Sequence, residues 1–148
     1  MRIKERLYLL SMNKDSVGNA TIDYIKIYYF NIHNEFVFVN MIDRSFVDIE
    51  DSFDLTDLLV IDSDNIILAE KQSKSILSFS YSLANEIILE SVKKLSSTPL
   101  SLVYSQSKTL FVATSAVITE YANAQLTEEV TRYEVDPQDD HLTSLQVS

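Results

Sequence analysis

The spacing of apolar and polar positions sorts the chain into segments, and the richest apolar stretch, Thr21 to Met41 (TIDYIKIYYFNIHNEFVFVNM), sets the frame for the rest. It holds six of the fifteen aromatic residues: Tyr24, Tyr28, Tyr29, Phe30, Phe36 and Phe38. Isoleucine, valine and aromatic side chains fit a pleated, half-buried surface, and the Asn34-Glu35 break suits a short connection, so the pattern predicts two long antiparallel strands. On the first strand Ile22, Tyr24, Lys26, Tyr28, Phe30 and Ile32 share one face, and Asp23, Ile25, Ile27, Tyr29 and Asn31 share the other. Both faces are largely apolar. Such a strand is covered on both sides by its own chain, or one side awaits a partner.

Before this hairpin, Met1 to Leu10 reads as a strand with Ile3, Leu7 and Leu9 on one face, and Asn13 to Ala20 as a turn in which Gly18 supplies a positive φ. After it, Asp43 to Asp57 reads as a charged edge strand and an irregular connection. Leu58 to Ile61 and Ile66 to Ala69 flank the turn tetrad Asp62-Ser63-Asp64-Asn65 and form a second hairpin. From about 75 to 95, Leu77, Tyr81, Ala84, Ile88, Val92 and Leu95 recur at intervals of four, three, four, four and three, which predicts a helix. Ser73 or Ser75 would cap it, Lys93 and Lys94 would suit its C-terminal dipole, and Pro99 would prevent its continuation. Leu100 to Ser105 and the run TLFVATSAV predict a third hairpin. Ile118, Ala122, Leu126, Val130 and Tyr133 then predict a second helix over about 116–133.

The expected fold is therefore α+β, a single mixed, mostly antiparallel sheet built from hairpins with two helices. One domain would span residues 1–135, and 136–148 would form an acidic C-terminal tail of disordered composition. The strand-strand-helix-strand-strand-helix order from about Leu55 to Tyr133 is similar to that of profilin-like and roadblock-like modules, a resemblance that implies a dimeric scaffold with two helices on one side of the sheet.

Composition narrows the function. With 22 acidic against 12 basic residues, the net charge of −10 argues against phosphate-neutralising contacts with nucleic acid. No uncharged apolar run approaches the roughly 18 residues that cross a bilayer, so no membrane association is expected. The basic N-terminal stretch MRIKERLYLLSMNKD has an apolar run, Leu7 to Leu10, too short for a signal-peptide core, so the expected location is cytoplasmic or within a virion. The absence of cysteine removes disulfides and thiolate chemistry, and a single glycine in 148 residues removes phosphate-cradling loops. Eight acidic residues lie between Asp43 and Asp64 with only Arg44 opposing them, which marks either a solvated surface or an acidic docking face.

No catalytic or metal constellation stands out, and no cofactor is implied. His33 and His141 are too few and too far apart for a histidine metal site. Asp62, Asp64 and Glu70 open like a calcium loop, but Ile66 and Leu68 occupy the next alternate positions and no glycine follows. Glu70 and Lys71 are adjacent, so in a strand they point to opposite faces and do not form the glutamate-lysine pair of a metal-dependent nuclease. The serines at 73, 75, 78, 80 and 82 lack the glycines of a nucleophile elbow.

The function expected is a non-enzymatic structural or assembly subunit of a larger complex, such as a virus particle, with a protein partner or a second copy as ligand. Its candidate contact residues are Tyr24, Tyr28, Tyr29, Phe30, Phe36 and Phe38 on the hairpin and Asp48, Glu50, Asp51 and Asp54 in the acidic run. The alternative is an acidic inhibitor or decoy, of the phage counter-defence type, that occupies a basic surface on its target.

Overall fold

The computed structural model describes residues 5–14, 16–18, 20–46, 54–122 and 129–134. Eleven strands run through them: β1 Arg6–Lys14, β2 Ala20–Phe30, β3 Phe36–Ile42, β4 Leu55–Val60, β5 Asn65–Glu70, β6 Ser75–Tyr81, β7 Ile87–Lys94, β8 Pro99–Tyr104, β9 Leu110–Thr114, β10 Val117–Tyr121 and β11 Glu129–Glu134, with one 3-10 turn at Arg44–Phe46. They form three antiparallel meanders in the orders β1-β2-β3, β4-β5-β6-β7 and β8-β9-β10-β11. The fold is thus all-β rather than α+β. Neither predicted helix exists among the described residues, and the likeness to profilin-like and roadblock-like scaffolds falls with them.

The reason for the first error lies in the middle sheet. β5 (NIILAE) is apolar on both sides because the second sheet is covered on both faces, whereas β6 alternates Leu77, Phe79 and Tyr81 with Ser78 and Ser80, a period of two that the helical spacing from Leu77 to Leu95 overrode. Leu77, Phe79 and Tyr81 point toward the first sheet, while Ile76 with Ile67 and Ala69 points toward the third. The 3.6-residue spacing across 75–95 arises from two strands joined by a turn at Ser82 to Glu86, where Asn85 takes a φ of 62° that no helix contains. The predicted helix over 116–133 is replaced by β10 and β11, paired from Val117↔Glu134 to Tyr121↔Glu129. Its valine, isoleucine, threonine and tyrosine residues carry β propensity that the helical spacing overrode.

The three hairpins expected at 21–41, 58–69 and 100–117 are present as β2-β3, β4-β5 and β8-β9, the last ending at Thr114 because Val117 already belongs to β10. Between the first and second sheets, Ile25, Ile27 and Ile42 pack against Leu55, Ile66, Leu68, Leu77, Phe79 and Tyr81. Between the second and third, Ile67, Ala69 and Ile76 pack against Leu102, Leu110, Val112 and Tyr121. Burial of each such isoleucine, leucine or phenylalanine contributes about 1.5–3 kcal/mol. The Phe46 ring closes the first layer against Phe79, edge to face at 5.4 Å.

Polar groups hold the layers in register. Thr56 Oγ1 of β4 donates to the Pro99 carbonyl of β8 at 2.9 Å, and the Leu102 amide donates to Asp57 Oδ2 at 2.8 Å, so the first strands of the second and third sheets lie alongside one another. Glu70 is fully buried, and its carboxylate accepts from the amides of Asp54 (3.0 Å), Gln72 (2.9 Å) and Ser73 (2.7 Å) and from the Ser73 hydroxyl (2.5 Å). Three turns share one construction. In 31–35, 82–86 and 105–109 the first residue's amide donates to the fifth residue's carbonyl at 2.9–3.0 Å, and the fourth residue, Asn34, Asn85 or Lys108, has positive φ. Non-glycine residues therefore supply the left-handed positions that a chain with one glycine must still fill.

Candidate interaction surface

Cross-strand pairing fixes which side chains leave the first sheet on the side away from the second. Tyr28 lies opposite Leu7 on β1 and Phe38 on β3, Lys26 opposite Leu9 and Met41, and Phe30 opposite Phe36. Directly opposed residues share a face. The outer face therefore carries Leu7, Leu9, Tyr24, Lys26, Tyr28, Phe30, Phe36, Phe38 and Met41, and its partner Ile25-Ile27 face is the one sealed against the second sheet.

The aromatic rings on this face are ordered by one another. Tyr28 meets Phe38 edge to face with centroids 5.7 Å apart, and Phe30 meets Phe36 at 4.9 Å. Pairs of this kind contribute about 0.5–1.5 kcal/mol beyond burial. They leave much of the rings in water: Phe36 is 60% exposed and Phe38 54%, with Leu7, Leu9, Phe30 and Met41 also exposed. Lys26 Nζ sits 5.7 Å from the Tyr24 ring centre and is the cation of this face. At one end Glu5, Arg6, Leu7, Phe30 and Phe36 line a shallow pocket of about 260 Å³.

Of the sequence-predicted contact residues, Tyr24, Tyr28, Phe30, Phe36 and Phe38 come together here. Tyr29 does not, since it points to the opposite side between Arg6 and Val37. Asp48, Glu50 and Asp51 lie outside the described residues. Asp54 is buried, and Asp57 in the same acidic run is turned inward to accept the Leu58 and Leu102 amides. Leu7, Leu9 and Met41 were not among the sequence candidates, although the alternation of Leu7 and Leu9 on β1 was visible and only its pairing partner was unknown.

Asp62, Glu70 and His33 are separated by the fold. Asp62 accepts from the Asp64 amide at 2.8 Å and from Asn65 Nδ2 in the β4-β5 turn, whereas Glu70 serves the turn at the far end of β5. His33 sits exposed in the β2-β3 turn, its amide donating to Asn31 Oδ1. Among the described residues no three histidine, aspartate or glutamate side chains gather as metal ligands. No helix among them is long and apolar enough to cross a membrane.

A polar cluster ties the first sheet to the second near this face. The Arg6 guanidinium lies 3.6 Å from the Tyr81 ring centre and donates to the Ser63 carbonyl and, at 3.2 Å, to Asn85 Oδ1. Tyr8 and Tyr81 share a hydrogen bond at 3.0 Å. Burial raises the pKa of both phenols above the ordinary 10.

No family model and no curated protein matches the chain. Among solved structures it resembles the periplasmic gluconolactonase PpgL of Pseudomonas aeruginosa, with a TM-score of 0.61 at 11% identity over 84% of this chain and 39% of that one. The likeness is one of fold, and this chain spans about two fifths of that protein's length. Successive four-stranded antiparallel meanders packed face to face are the way in which blades follow one another in β-propellers.

Proposed function

We propose that this chain is a non-enzymatic assembly module that docks a protein partner on the outer face of its first sheet. The observation that carries the reading is the cross-strand array of Leu7, Tyr28 and Phe38 beside Phe30 and Phe36, all on a face that no other described element covers. Contiguous exposed apolar surface of this kind marks interaction sites, and phenylalanine and tyrosine are enriched at the centres of protein interfaces. The Ile25-Ile27 side of the first sheet is spent on the second sheet, which leaves this face as one outer end of the stack.

Light scattering on this 148-residue chain, recovered together with the proteins it binds, tests the reading. A mass above 16.9 kDa is expected, falling to 16.9 kDa in Phe38→Asp and unchanged in Leu83→Asp, whose side chain is exposed in a turn. A native complex indifferent to Phe38→Asp would overturn it, as would a 16.9 kDa monomer.

A further inference from the structure

Between the second and third sheets the apolar layer gives way to a polar cleft. Val112 lies opposite Thr119 across the β9-β10 pair, and Thr119 opposite Arg132 across β10-β11. Leu110 in the same way lies opposite Tyr121, and Tyr121 opposite Glu129. Directly opposed residues share a face, so the side of the third sheet that carries Leu110 and Val112 in the core continues as Thr119, Tyr121, Glu129 and Arg132. The facing wall comes from β7. Lys93 lies opposite Ile76, which belongs to the same core layer, and is therefore turned toward the third sheet. The two walls bound a space of about 300 Å³, whose lining includes Lys93, Lys94, Thr119, Tyr121, Glu129 and Arg132.

The walls are fixed in place. Glu129 and Arg132 are three residues apart, a spacing that sends strand side chains to opposite faces. The register shift between Glu120 and Tyr121 brings both to one face, where Arg132 Nε and Nη2 donate to Glu129 Oε1 and Oε2 at 2.9 and 3.0 Å. A paired contact of this kind sets the plane of the guanidinium. On the other wall the Leu95 amide donates to the Lys74 carbonyl at 2.8 Å, and Ser97 Oγ donates to Thr114 Oγ1 at 2.7 Å.

Two properties of the cleft point to what it holds. Thr119 and Tyr121 are only 5% and 3% exposed, and neither hydroxyl has a hydrogen-bond partner among the described residues, although buried hydroxyls are as a rule paired. In a chain of net charge −10, the cleft also reverses the local sign, with Lys93, Lys94 and Arg132 against Glu129. Its volume is at the lower end of small-molecule sites.

From this we infer that the cleft binds a small anion through a carboxylate or phosphate group. Lys93 and Lys94 balance its charge, and the Thr119 and Tyr121 hydroxyls donate to its oxygens. The site lies on the far side of the second sheet from the first and does not depend on the outer face proposed above.

Inorganic phosphate and malonate are the probes, each titrated into the full chain at low salt and followed by amide chemical shifts. Saturable shifts are expected at Lys93 to Ser97 and at Thr119 to Tyr121. Loss of a charged donor in Lys93→Gln should weaken binding about tenfold. Tyr121→Phe, which keeps the ring in the core and removes only the hydroxyl, should weaken it severalfold. Lys26→Gln on the first sheet should leave it unchanged. Binding of either probe supports the inference, and the tighter of the two tells a phosphate-bearing ligand from a carboxylate. Absence of a saturable shift would overturn it, and so would binding that is indifferent to Lys93→Gln. Binding that appears only when Asp136→Asn, Asp139→Asn and Asp140→Asn are combined would show that the chain's own acidic segment fills the cleft, and would overturn it as well.

Discussion

Arg6 lies over the ring of Tyr81 at 3.6 Å, and this contact seats the first sheet on the second. The same guanidinium holds the Ser63 carbonyl and Asn85 Oδ1, so one side chain fixes β1 against both turns at that end of the middle sheet. Its planar fork is what allows stacking and two-directional donation together. Arg6→Lys is expected to cost about 2 kcal/mol, through lost cation-π contact and charged hydrogen bonds. Hydrogen exchange should show the loss in β1-β3 while the third sheet remains protected.

Phe79 is fully buried between the first two sheets, against Phe46 and the Ile25-Ile27-Ile42 cluster. Phe79→Ala should destabilise the chain by about 3–5 kcal/mol, a large part of an ordinary domain's stability. Urea unfolding followed by tyrosine fluorescence measures it. A cost near that of a surface substitution would mean that the two sheets are not packed as described.

Glu70 answers three amides and a hydroxyl from complete burial. Glu70→Ala leaves those donors without an acceptor, and a loss of at least about 3 kcal/mol is expected. Surface acids such as Glu35 should tolerate the same change within about 0.5 kcal/mol.

Burial raises the pKa of Tyr81 strongly, and those of Tyr8 and Tyr121 in the same direction, above the ordinary 10.0. In the unfolded chain these phenols lose their protons near pH 10, while the folded chain retains them, so the unfolded state binds fewer protons above that point and stability falls as pH rises. The contribution is intact below pH 10 and declines above it. An alkaline titration of phenolate absorbance should show Tyr8, Tyr81 and Tyr121 holding their protons above pH 10, with unfolding midpoints dropping as the pH rises past that point.

Lys108 occupies the left-handed position that Asn34 and Asn85 hold in the two equivalent turns. Asparagine tolerates that conformation better than lysine, so Lys108→Asn should raise stability by up to about 1 kcal/mol. Thermal melts of the two forms check it.

How legible the sequence was differs from strand to strand. The 21–41 hairpin was visible because Asn34-Glu35 interrupts two runs of β-branched and aromatic residues, and the 62–65 turn because its side chains bond their own backbone. In the middle sheet β4-β5 was legible, whereas β6 and β7 were misread although Ser78 and Ser80 alternate with Leu77, Phe79 and Tyr81 and β7 is half-exposed. Leu77 to Leu95 then matches helical spacing by the accident of its turn length. The repeat of meanders left no sequence trace, since the shared turns reuse a backbone shape with Asn31, Ser82 or Ser105 at its start. Most of the outer aromatic face could be listed from alternation alone. Which side of β2 would stay open, and that Leu7 and Leu9 join it, required the pairing partners.

Every ladder among the described strands joins neighbours in sequence. No strand has to wait for a distant segment before it can pair, so the entropy of closing long loops is largely avoided and folding should be fast for an all-β chain. The middle sheet, with an interface on each side, is the natural nucleus, and order spreads outward from it as in a one-dimensional array. Cleavage between Lys94 and Pro99 would leave every pairing of strands intact. The two fragments should then find each other and re-form the native stack on mixing.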